Sequence, residues 1–119
     1  MTPKQKLRLA RAIWPGRKWS WDEENGLSYL YAVKHHDARR PQVFATLSEW
    51  KRCEEEYRAV DLTSNEAVGA MVACLHRRMW ACITPNDRAY IARGVKHAFL
   101  QKNYPAALAR LVLEVIGDA

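Results

Sequence analysis

Cysteine, glycine and proline are all scarce in this sequence, and each shortage excludes something. The three cysteines, Cys53, Cys74 and Cys82, are an odd number with no C-x-x-C spacing, so no closed disulfide framework is expected. Reduced thiols packed as small apolar groups fit better. The five glycines are dispersed, which leaves no glycine-rich loop to cradle a phosphate. Long apolar runs are missing as well. The longest strongly apolar stretch, Leu108 to Ile116, is interrupted by Arg110 and Glu114 and falls short of the roughly 20 residues of a bilayer span. The basic start (Lys4, Lys6, Arg8, Arg11) leads into a periodic segment and not into the apolar plug of a signal peptide. A soluble cytoplasmic protein without a membrane partner is therefore expected.

What is present suits a folded domain. The chain has 119 residues, 49% of them hydrophobic, enough for one compact domain over 1–119 without covalent staples. The net charge is +6 and unevenly spread. Residues 1–18 carry six bases and no acids, whereas 47–62 carry five acids and three bases. Lobes of both signs point to a shaped electrostatic surface.

Local signals divide the chain into a helix-plus-hairpin subregion, 1–46, and a helical subregion, 47–119. Thr2-Pro3 reads as an N-cap followed by a first-turn proline. The helix it opens aligns Leu7, Ala10 and Trp14, with Leu9 and Ile13 beside them, and stops at Pro15-Gly16. Alternation over Trp19-Ser20-Trp21-Asp22, then Asn25-Gly26, then the strand formers Leu27 to Val33, predicts a tight hairpin. Placing Asn25 and Gly26 at the two central positions sets Trp21 opposite Leu30 and Trp19 opposite Ala32. Ser20 then faces Tyr31, and Asp22 faces Tyr29, so that one side is apolar and the other carries phenols and an acid.

Gln42 to Ala45 is a candidate third strand. Thr46-Leu47-Ser48-Glu49 matches a capping box and predicts a helix aligning Leu47, Trp50, Cys53, Tyr57 and Val60. A second box at Thr63-Ser64-Asn65-Glu66 opens a helix with Val68, Met71, Val72, Leu75, Met79, Cys82 and Ile83 at three- and four-residue steps. Thr84-Pro85 starts another, with Ile91, Val95, Ala98 and Phe99 inward, ending near Asn103. The last runs from Pro105 to Ile116, presents Leu108, Leu111, Val112, Val115 and Ile116, and stops at Gly117. The fold class that follows is α+β, with a leading helix and small antiparallel sheet packed on a C-terminal stretch of about four helices.

Chemistry is thinly represented. His35 and His36 are adjacent, so on an extended chain they point apart, and no further ligand follows at zinc spacing. Asp37 with Glu49-Trp50-Lys51 resembles a metal-nuclease pattern only in residue type, because the triplet falls in a helical first turn and not on a strand. The cysteines lie on or beside apolar stripes, with nothing adjacent to activate a thiolate. No catalytic residue, metal ligand or cofactor is expected, and the chain reads as a non-enzyme.

Binding is better represented. Tyr29, Tyr31, Lys34, His35, His36, Arg39 and Arg40 combine phenols with arginine, the composition of protein-binding hot spots. They make a partner protein the leading expectation, with the chain acting as a modulator or inhibitor. In compactness and lack of chemistry it resembles the small accessory proteins of bacteriophages and prophages. Lys4, Lys6, Arg8, Arg11, Arg17 and Lys18 support the alternative, a basic nucleic-acid-binding regulator. The apolar last helix also suits burial against a twin subunit.

Overall fold

A computed structural model of the chain describes residues 1–32 and 55–117. It is an α+β protein whose chain divides into two compact units, residues 1–16 with 61–119, and residues 17–60. The first unit is helical and the second contains the sheet.

In the helical unit, α1 spans Pro3–Ile13, α2 Asn65–Ala81, α3 Pro85–Phe99 and α4 Tyr104–Val115. Their starts follow from capping chemistry. Thr2 Oγ1 accepts from Gln5 N at 3.2 Å, while Thr2 N donates to Gln5 Oε1 at 3.0 Å, which closes a reciprocal capping box. Ser64, one residue later than the box expected from sequence, caps α2 by accepting from Ala67 N at 3.2 Å. Thr84 caps α3 by accepting from Asp87 N at 3.3 Å. Gly117, at φ +78°, ends α4 in the left-handed region that glycine adopts without a Cβ clash.

The core of this unit joins Leu9, Ala10 and Ile13 of α1 to Met71, Cys74 and Leu75 of α2, Ile91 and Ala98 of α3, and Leu108 and Val112 of α4. The stripe on α2 is rotated from the sequence expectation. Ala67 and Cys74 are buried, whereas Ile83 lies 95% exposed beyond the helix end. A small residue such as Cys74 suits close helix approach, which hydrophobicity alone does not reveal. Phe99, expected inward, is 47% exposed because α3 ends there. Gly94 of α3 lies against α4, where a Cβ would stand 2.8 and 2.9 Å from the Leu111 methyls.

In the sheet unit, β1 (Trp19–Asp22), β2 (Gly26–Ala32) and β3 (Glu55–Ala59) form an antiparallel sheet in the order β1-β2-β3. The hairpin exists where the sequence places it, but its register differs. Trp19 pairs with Tyr29, Ser20 with Ser28, Trp21 with Leu27 and Asp22 with Gly26. Asp22 accepts from Glu24 N at 2.9 Å and from Asn25 Nδ2 at 3.1 Å, which folds Glu23 and Glu24 into the bend. Gly26 supplies the positive φ, +71°, where the chain re-enters the sheet. The three-residue loop 23–25 followed by a glycine of positive φ is a connection that suits the strand twist. The slip is by an odd number of residues, so β2 presents its opposite face to the tryptophans. Tyr29 and Tyr31 consequently share a face with Trp19 and Trp21.

The helix expected from 47 to 60 is also corrected, because Glu55–Ala59 pairs with β2 as a strand, Leu30 opposite Tyr57 and Tyr29 opposite Arg58. β2 is longer than β1 and needs partners for its second edge, and that requirement overrides the poor strand propensity of Glu55 and Glu56. The candidate strand Gln42 to Ala45, the box Thr46 to Glu49, Trp50, Lys51 and Cys53 lie outside the described residues.

Candidate functional site

Tyr29 and Tyr31 are half-buried on β2, within a row of alternating rings and guanidinium groups. The Trp19 and Tyr29 rings meet edge to face at 5.4 Å, and Tyr29 meets Tyr31 at 6.4 Å and 89°. Arg17 places its guanidinium carbon 4.5 Å from the Tyr29 ring centre and 5.9 Å from that of Trp19. Arg58, directly across from Tyr29, lies 4.1 Å from the Tyr31 ring centre. Both contacts fall within cation–π range, and strand pairing with β2 brings Arg58 to the Tyr31 ring. Arg17, expected among nucleic-acid contacts, is thus part of this row. Lys18 is exposed beside it. Lys34, His35, His36, Asp37, Arg39 and Arg40 lie outside the described residues.

The basic residues of α1 separate by helical phase. Lys4, Arg8 and Arg11 follow a four- and three-residue spacing along one side, while Lys6 falls on another. Arg8 is engaged within the fold, donating from Nη2 to the Gly117 carbonyl at the end of α4. The segment therefore presents a shorter cationic row than its composition promises.

A larger cationic feature lies between α3 and α4. An open groove of about 990 Å³ is walled by Arg93, Lys96 and His97 from α3, Lys102 from the turn, and Arg110 from α4. Its floor is made of small or apolar residues, Gly94, Ala98, Ala106 and Leu111 among them. Arg93, Lys96, Lys102 and Arg110 are all exposed, and none has an ion-pair partner among the described residues. The one lining carboxylate, Glu114, accepts a hydrogen bond from the Tyr90 hydroxyl. That bond, with smaller contributions from burial and the nearby negative charge, holds the phenol above its usual pKa. At the other end, the Gln101 amide nitrogen sits 3.2 Å from His97 Nε2.

Sequence reading misses this groove, although the signal was available. Arg93, Lys96 and His97 recur at three- and four-residue steps, and the link between α3 and α4 is short. A short link makes the helices antiparallel neighbours, which carries Lys102 and Arg110 to the facing wall.

Charge is partitioned between the units. The segments forming the helical unit contain eleven lysines and arginines against five acids, whereas residues 17–60 contain eight of each. The whole surplus of +6 therefore belongs to the helical unit.

Among the described residues no three His, Cys, Asp or Glu side chains are grouped to hold a metal ion, and no helix is long and apolar enough to cross a membrane. Cys74 is buried, and Cys82 is half-buried with its thiol 3.1 Å from the Arg78 carbonyl. Comparison with protein-family models, curated proteins and solved structures yields no match for this chain.

Proposed function

We propose that this protein is a small nucleic-acid-binding regulator that works by association and without catalysis. The observation supporting this reading is the charge partition, in which a helical unit carries the entire +6 and lines one groove with four exposed cations lacking ion-pair partners among the described residues. A polyanion gains affinity from such a surface by releasing condensed counterions. Purification with and without nuclease and high salt tests the reading. Nucleic acid should accompany the protein at low salt and be displaced at high salt. Protein that carries no nucleic acid, and binds none when it is added back, would rule the reading out.

A second reading, a protein-binding modulator or inhibitor of the accessory type, draws on a separate observation. The row of Arg17, Trp19, Tyr29, Tyr31 and Arg58 has hot-spot composition and lies on the unit with no net charge. A protein partner captured from nuclease-treated lysate, and lost on Tyr31→Ala, would favour it.

A further inference from the structure

We infer that the groove between α3 and α4 is a binding track for single-stranded nucleic acid, an inference that rests on the nucleic-acid reading and assigns it a place. Three observations converge. Arg93 and Arg110 lie beside the Gly94–Leu111 contact, one on each wall, while Lys96 and Lys102 continue toward the turn. The groove thus carries a line of cations along its length, as a phosphate chain requires. Its floor of small residues leaves room for a backbone to approach.

An aromatic ring stands at one end of this line. Tyr90, 46% exposed, marks that end beside Glu114. A cationic groove with an exposed ring in its lining is a combination that holds single strands, with the ring stacking on an unpaired base and cations following phosphates. The start of α4 adds to it. Asn103 makes no side-chain cap and the first turn holds no acid, so the positive end of that helix is left uncompensated beside Lys102.

The test measures binding of short fluorescent oligothymidine and oligouridine, and of a duplex of equal length, over a range of salt. For the intact protein log K against log salt should fall with a slope of about −3, from four phosphates at about 0.7 each. R93A/R110A should weaken single-strand binding about tenfold or more and reduce that slope by about 1.4. R77A/R78A, which removes the same charge from exposed positions on α2 outside the groove, should change affinity by no more than about twofold; circular dichroism and melting establish that both variants are folded. Equal losses in the two variants, or equal affinity for duplex, would overturn the groove assignment while leaving the nucleic-acid reading standing. Absence of binding to any nucleic acid, with capture of polyglutamate instead, would overturn both.

Discussion

Trp19 and Tyr29 face each other across the first hairpin, in register and edge to face, with the guanidinium of Arg17 over both rings. This contact organises one side of the sheet. Trp19 is only 8% exposed, so Trp19→Ala removes a large buried ring and its partner for Tyr29. The expected cost is about 3–5 kcal/mol. Chemical denaturation followed by circular dichroism measures it, and a shift below about 1 kcal/mol would show that the ring is not part of a packed core.

Gly26 carries φ +71° where the loop rejoins the strand. A Cβ there would find ordinary room beside Trp21, at 3.8 Å, so the cost of substitution is conformational. Gly26→Val should destabilise the hairpin by at least about 1–2 kcal/mol, since β-branched residues resist the left-handed region. Hydrogen exchange at the Leu30 amide, which donates to the Lys18 carbonyl across the hairpin, should accelerate accordingly.

Ser28 is fully buried in the central strand, and its hydroxyl has no hydrogen-bond partner among the described residues. Ser28→Ala removes an uncompensated polar group at little change in volume. Stability is expected to rise by about 1 kcal/mol. A fall of similar size on denaturation would mean that the hydroxyl is satisfied in solution.

Gly94 allows α3 and α4 to approach, with the Leu111 methyls where a side chain would begin. Gly94→Val forces Leu111 from its place and should cost about 1–3 kcal/mol despite a better helix propensity. Because the same contact forms the groove floor, oligonucleotide affinity should fall with it. A variant as stable as the parent would place the helices farther apart.

Asp61 accepts from both the hydroxyl and the amide of Thr63, at 2.7 and 2.8 Å. The hydroxyl bond first, and the amide bond second, hold its pKa below the ordinary 3.8. A depressed carboxyl pKa stabilises the fold above the unfolded value, and the contribution is lost as pH falls through the folded one. Thr63→Ala should move the Asp61 titration upward, as followed by carboxyl NMR. The stabilities of parent and variant should converge as pH drops below the folded pKa of Asp61. An unmoved titration would show that the hydroxyl contributes nothing.

Elements built from near neighbours are legible in the sequence. Thr2 and Thr84 cap where expected, Gly117 stops the last helix, and a hairpin turns around Asn25-Gly26. The errors arose where two arrangements satisfied the same local rule. Asn-Gly suits a two-residue turn, but the carboxylate of Asp22 selects the longer loop. Tyr57 and Val60 continued a helical spacing from Leu47, yet the segment before Val60 completes the edge of β2.

The sequence by itself determined where α1 and α3 begin and where α4 stops, that a hairpin follows α1, and that the chain is basic. Each of these depends on groups a few residues apart, within reach of one turn or cap. Only the tertiary structure decided that the tyrosines lie with the tryptophans, that Glu55–Ala59 is a strand, and that Arg93 and Arg110 wall one groove. Those outcomes depend on strand register, edge pairing and the approach of Gly94 to Leu111, contacts between residues distant in the chain whose geometry no local pattern encodes.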